Sequence, residues 1–366
     1  MPYVQKDDPF WVLKKLSIDI VSHTVMKKLN FAICSFNSTL LLLQTIHIIT
    51  STNKILLMSA YGPMMGFSCF VIFQALAQTV YEKTVLELLC EFYSLYWPLD
   101  NVNPGKFLKQ FRFLYVISFV TGGMFITSVL LVSPVFKNEK DIFLIREMFH
   151  NWGQILEVVF WAGLFFQTVW AILIACVLAY AIFGIKFQLS LLLYQIKGMK
   201  GLRHQSMVKE KLHSVIRRHV CLTGFVRKVV KTYWGLLQVE VCMFLVVNIS
   251  MLFFFINSFS RSDWQHNLRP LCITVTSFML TTCLIVLCLQ IPDMTGRIFD
   301  TTLELPWHLW NSKNRRTLLI FMTNSVQPIY INILGLGRLN SSSVSEYVKM
   351  IYSTTTVLCS LREGKK

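Results

Sequence analysis

The stretch Glu304-Leu305-Pro306-Trp307-His308-Leu309-Trp310, then Lys313-Asn314-Arg315-Arg316-Thr317-Leu318-Leu319, then Ser325-Val326-Gln327-Pro328, decides how the chain is read. After a Gly335-Leu336-Gly337 break the chain closes with Tyr352-Ser353-Thr354-Thr355-Thr356-Val357-Leu358. Residues 318–337 are uncharged and twenty long, so hydropathy alone accepts them as a membrane crossing. Against that, Thr323, Asn324, Ser325, Gln327 and Asn332 crowd the segment, and Pro328 removes a backbone donor from its middle. Irregular backbone is tolerated at membrane depth only inside protein or beside water. The competing last crossing, 343–361, is shorter and carries Glu346 and Lys349 near its start.

Outward from this end, composition bounds the class. The chain is 54% hydrophobic and 15% charged, against roughly 25% charged for a soluble domain. Length would allow two soluble domains, but the charges are not distributed that way. Six windows of 20 to 26 residues, 30–49, 55–80, 113–136, 158–183, 236–258 and 271–291, hold one acid (Glu240) and no base between them. Each is long enough to cross a hydrocarbon core about 30 Å thick as a helix rising about 1.5 Å per residue. The expected class is an all-α, polytopic membrane protein in contact with the lipid bilayer.

The bases set its orientation. With the N-terminus inside, the inside segments 1–29, 81–112, 184–231 and 292–316 carry 24 Lys and Arg, and the outside segments carry 9. Lys and Arg resist translocation, so the N-terminus is expected in the cytosol. Residues 1–29 hold no apolar core or small-residue cleavage site, so no removable signal is expected. They read as a cytosolic arm, either an amphipathic helix at the interface or a solvated tail. The net charge of +16 implies no nucleic acid. Most of it sits in the 184–231 loop, whose eleven bases face the single acid Glu210. Such a loop lies against an anionic leaflet, with or without a second role in docking subunits. Spans four and five are expected to continue as helices into it, over Met207 to Lys231.

Catalytic and metal chemistry find no pattern. The chain has no G-x-S-x-G, H-E-x-x-H, phosphate loop or C-x-x-C, and its eight histidines are scattered. No cofactor is expected. Most of the ten cysteines lie in or beside apolar windows, where they act as small hydrophobes rather than a disulfide framework. The sequons at Asn37, Asn248 and Asn340 fall in spans or on the inside, so none is expected to carry a glycan.

Taken together, the Leu305-Pro306-Trp307 box, the basic helix start at Lys313, the Gln327-Pro328 turn and the closing Tyr352-Ser353…Leu358 run resemble the C-terminal signature of the insect odorant receptors. Four pieces in register over about sixty residues carry the resemblance. It implies seven transmembrane helices with the N-terminus cytoplasmic and the C-terminus extracellular. The expected layout is an arm at 1–29 and six helices over 30–291 with the cytoplasmic loop 184–231. Next come a cytoplasmic anchor helix and connection over 292–342 (helix 314–327, connection 328–342). A seventh, pore-lining helix and tail over 343–366 ends the chain, 343–361 being the crossing.

The resemblance also implies function: an odorant-gated, nonselective cation channel subunit in a heterotetramer with a common co-receptor. Its place would be the plasma membrane, in the dendrite of a sensory neuron. The 184–231 loop lacks the long insertion of co-receptors, and the final helix does not copy the co-receptor's end, so a ligand-specific tuning subunit is expected. A gustatory receptor channel of the same superfamily is the alternative, although that family usually ends TYhhhhhQF. A G-protein-coupled receptor is less favoured, lacking D-R-Y and N-P-x-x-Y motifs and having the opposite orientation. A transporter is disfavoured because the two halves show no repeated hydropathy break.

Family members bind a small volatile ligand in the outer half of the bundle. Given the topology, the outer halves of spans two, three, four and six hold Tyr61, Met65 and Phe67; Met124, Phe125 and Ser128; Trp161 and Phe165; Thr274 and Phe278. Aromatic and Met walls with a few hydroxyls suit a ligand offering mainly dispersion contacts. Along the last helix Glu346, Met350, Thr354, Val357 and Leu361 are spaced by 4, 4, 3 and 4 and share one face. By the resemblance, Val357 and Leu361 match the family's apolar constriction. Trp307, Trp310, Leu318, Leu319 and Phe321 are large apolar groups just beyond the membrane, and an inter-subunit anchor over 184–231 and 292–327 is expected from them. His308 reads as a structural residue at the membrane edge.

Overall fold

The computed structural model describes residues 24–50, single positions and short runs between 65 and 91 and between 116 and 124, Ala162, and 179–258, 264–333, 337–340 and 342–363. Helix α1, Thr24–Thr50, buries one stripe made of Ile33, Asn37, Leu40 and Gln44. Its outer face carries Phe31, Leu42, Ile46 and Ile49, all exposed. A helix with amides inside and large apolar groups outside is surrounded by lipid, since in water that arrangement would be reversed. The inner amides are used. Asn30 Nδ2 donates to the Ala75 carbonyl at 3.0 Å, joining α1 to the short apolar helix α2, Ser68–Ala77.

Helix α3, Ala179–Lys197, turns over 198–204 into α4, Gln205–Ser258. The basic segment 184–231, expected to carry helix over Met207 to Lys231, is a helical hairpin: most of its bases are exposed, Lys186 and Arg218 are half-buried, and Phe183, Phe187, Leu192, Leu212 and Val226 fill its centre. Arg218 on α4 donates to Gln188 Oε1 on α3 at 2.6 Å across it. Basicity located the segment correctly as one unit. The helix expected over Met207 to Lys231 lies within α4, Gln205–Ser258.

α4 runs for 54 residues, about 80 Å at 1.5 Å per residue. It bends by 52° between Gln205–Thr232 and Leu237–Phe253, with Gly235 in the break, the kind of residue at which helices kink. Helix α5, Trp264–Leu303, packs along α4. It repeats the inside-out pattern of α1, with Thr276, Ser277 and Thr281 buried and Leu271, Val275 and Met279 exposed.

Among the described residues three helices are long and apolar enough to cross a membrane: Asn30–Thr50, Ala179–Lys197 and Thr274–Leu303. The bent pair Gln205–Thr232 and Leu237–Phe253 would make a fourth. Ala179–Lys197 owes its apolar character to burial in the hairpin rather than to lipid, since 72% of its apolar window is covered by protein. The expected crossings 113–136 and 158–183 lie largely outside the described residues, the second being described at Ala162 and over 179–183.

After α5 come a 3-10 turn, Trp307–Leu309, and helix α6, Ser312–Ser325. A two-residue ribbon follows, β1 Asn332–Ile333 against β2 Gly337–Arg338, antiparallel with Asn332 opposite Arg338. Gly337 has φ +66°, a conformation that side chains resist. Helix α7, Ser343–Glu363, closes the chain against α4 and α5.

Candidate functional site

α7 has two unlike faces. Tyr347, Ile351 and Thr355, each four residues apart, are buried against the bundle. On the other side Glu346, Thr354 and Val357 are exposed, Val357 to 56%, and Met350 is half-buried at the boundary. The side chain of Leu361 lies outside the described residues. The exposed side also offers Tyr352, Ser353, Thr356 and Ser360. The Ser353, Thr356 and Ser360 hydroxyls donate to the Met350, Tyr352 and Val357 carbonyls of their own helix, and Val348 and Leu358 are exposed beside them. Glu346 has a local task as well, accepting from the Ser342 hydroxyl at 2.8 Å in the helix's first turn.

The buried side of α7 is fixed through Tyr347. Asn248 Nδ2 on α4 donates to the Tyr347 hydroxyl at 3.1 Å, and the phenol is also hydrogen-bonded to Thr281 on α5. Its ring stacks on Phe278, centroids 6.4 Å apart. Phe278 and Thr274 are half-buried on α5, Met65 is half-buried, and Met124 is exposed. Tyr61, Phe67, Phe125, Ser128, Trp161 and Phe165 lie outside the described residues.

Beneath the bundle, the Leu305-Pro306-Trp307 turn is locked to the hairpin. Gln205, at the start of α4, donates to the Leu309 carbonyl at 3.2 Å and accepts from the Asn311 backbone at 2.9 Å. Asn314 Nδ2 reaches the Gln205 carbonyl at 3.1 Å, while the Asn311 side chain caps α6 by accepting from the Asn314 backbone at 2.9 Å. Lys200 and Glu304 pair at 2.7 Å, and the hydrogen bond from Lys200 holds the exposed Glu304 carboxyl below its usual range. α6 buries Asn314, Leu318, Phe321 and Ser325. Of the five groups expected at an exposed interface, Trp310, Leu318 and Phe321 are inside the chain's own core. Leu319 and Trp307 remain outside, joined by Leu309, Ile320 and Val326.

The 7tm odorant receptor family matches residues 101–352, more than half of the chain. The chain belongs to that family. It is a membrane receptor of the ligand-gated cation channel kind, not an enzyme. The receptor's fold is similar to the olfactory receptor OR5 of the insect Machilis hrabei, with a TM-score of 0.67 at 11% identity over 91% of this chain and 87% of that one. It is similar also to OR5 in complex with eugenol, with a TM-score of 0.72 at 9% identity over 97% and 100%. At such identities the likeness is one of fold. No curated protein matches this receptor's sequence.

Two features of the receptor had no signal in the sequence. Asn248 and Tyr347 are 99 residues apart, and Gln205 and Asn314 are 109 apart. A buried Asn in an apolar span was the only hint of the first pair, since a membrane-embedded amide needs a partner. Asn248 is also a sequon asparagine, and at 1% exposure it cannot reach a glycan-transferring enzyme in the fold.

Proposed function

We propose that the receptor is the ligand-specific subunit of an odorant-gated, nonselective cation channel, working with a common co-receptor in a heterotetramer at the plasma membrane of a sensory dendrite. The observation that carries this reading is α7, packed on one face by its own bundle and open along a hydroxyl-rich face that includes Thr354 and Val357. A chain complete in itself gains nothing from such a stripe in a membrane. Four copies around an axis would bring those stripes together and enclose water.

In this arrangement Val357 and Leu361 form the closed constriction by dewetting, and Glu346 draws cations toward the mouth. The odorant is held by Tyr61, Met65, Phe67, Met124, Phe125, Ser128, Trp161, Phe165, Thr274 and Phe278. The amino terminus and the basic hairpin 184–231 face the cytosol, where Lys and Arg are retained. The carboxyl terminus lies outside. The test is to express the receptor with a co-receptor and apply a panel of volatiles while recording current, with epitope tags at both ends read on intact cells. Odorant-evoked cation current, an outside C-terminal tag and an inside N-terminal tag are expected. Absence of current beside a responsive control receptor, or reversed tags, would count against it.

A further inference from the structure

Most of the packing between α7 and the bundle is apolar and non-directional, through groups such as Ile351, Met350 and Val344. Contacts of that kind fix no single partner, so equivalent ones can form in more than one register. The tie at Tyr347 is different in kind. One phenol oxygen is bonded to Asn248 on α4 and to Thr281 on α5, and all three residues are at most 1% exposed. No bulk water is at hand to replace those bonds when α7 shifts. Asn248 is itself held in place, because Nδ2 also donates to the Phe244 carbonyl of its own helix at 2.8 Å. The face of the Tyr347 ring, meanwhile, stacks on Phe278, one turn from Thr281.

We propose that Tyr347 is the positioning residue that sets the resting place of the final helix: its hydroxyl latches α7 to Asn248 and Thr281, and its ring reports the state of Phe278 to that latch. The inference rests on the channel reading above. A ligand pressing on Phe278 tilts the stacked ring, lengthens the phenol's hydrogen bonds and frees α7 to move as a unit. The hydroxyl holds the shut arrangement and the ring couples it to the ligand, so the two parts are separable by substitution.

Tyr347→Phe keeps the ring and removes only the hydroxyl; Asn248→Leu removes the amide from the other side. Each is recorded with the co-receptor, with basal current taken as a fraction of maximal current at matched surface amount. Each single variant is expected to raise that fraction about three- to tenfold, the range set by one buried hydrogen bond. Tyr347→Phe removes both of the phenol's bonds, including the one that Asn248→Leu removes, so the double variant should rise no further than Tyr347→Phe alone. Should Asn248→Leu fail to reach the surface, Thr281→Val serves in its place with the same expectation. Basal fractions equal to wild type in the single variants, or independent effects that multiply in the double, overturn the latch alone when the wild type responds to odorant. A wild type that carries no current beside a responsive control overturns the channel reading and the latch with it.

Discussion

Gln238 Nε2 donates to the Asn332 carbonyl at 2.7 Å, tying α4 just past its bend to the ribbon that leads into α7. The amide is buried at 7% exposure, beside a two-residue ribbon whose pairing with β2 is short. Gln238→Leu leaves the Asn332 carbonyl without this donor, at a cost of about 1–3 kcal/mol. Thermal unfolding of the detergent-solubilised protein should show that loss, whereas an unchanged midpoint would mean that the ribbon is held by other contacts.

His219 gives the anchor a pH dependence. It is buried with its ring edge-on to Phe321, centroids 5.0 Å apart. Burial first, then the charge of Arg227, push its pKa down from 6.5 to about 4. The folded state therefore keeps the imidazole neutral where the unfolded chain already binds a proton. The stability this group supports is complete above about pH 6.5 and is lost as the pH falls toward 4, by at most about 3 kcal/mol. Unfolding measured between pH 7.5 and 4.5 should fall less steeply in His219→Phe than in wild type. Parallel curves would assign the acid sensitivity to other groups.

Of the groups expected at the anchor interface, Trp307 and Leu319 are exposed, and Leu319 is the most exposed apolar residue of α6 at 63%. Leu319→Pro should abolish co-assembly by breaking α6. Leu319→Asp should do so with the helix intact, by placing a charge in an apolar contact. Co-purification with the co-receptor at wild-type yield in both variants would place the subunit contact elsewhere.

Alanine at Tyr61, Phe125, Trp161 and Phe278 tests the ligand wall, each expected to weaken odorant potency at normal surface expression. Truncating a buried aromatic contact typically costs about 1–3 kcal/mol, or roughly tenfold or more in potency. Phe278→Ala should also lower maximal response, since Phe278 stacks on the Tyr347 ring. Four unchanged concentration–response curves would move the pocket away from these spans.

Legibility in the sequence followed the range of the forces involved. The end of the chain was readable because its boundaries are set locally: Asn311 caps α6 and Ser342 binds Glu346 within one turn of α7. The helix expected over 314–327 is Ser312–Ser325, and the one expected over 343–361 is Ser343–Glu363. What could not be read was which side of a two-sided apolar helix turns inward. Leu318 and Leu319 are adjacent and chemically identical, yet one is buried in the chain's own core and the other is exposed. Nor could charge reveal how the hairpin packs, because most of its bases are exposed while Arg218 bonds across it to Gln188. Long-range partners such as Asn248 and Tyr347 depend on how α4, α5 and α7 meet, which no local pattern encodes.

The constriction can be tested at Val357. In the single chain it lies on the open side of α7, 56% exposed, one helical turn beyond Thr354 and opposite the buried Ile351 and Thr355. An apolar group facing an axis excludes water from a narrow pore, and a hydroxyl in its place lowers the barrier to wetting. Val357→Ser, recorded with the co-receptor, should raise basal current or alter ion permeability at unchanged expression. In the proposed heteromer the effect should be partial, because co-receptor helices would supply the rest of the ring. Leu361→Ser, one turn further on, should act in the same direction. Val357 lies off the buried face of α7, so folding and surface delivery of Val357→Ser should be unaffected. Wild-type leak, permeability and blocker sensitivity in both variants would remove these residues from the pore. The open stripe of α7 would then have to face lipid or another helix instead.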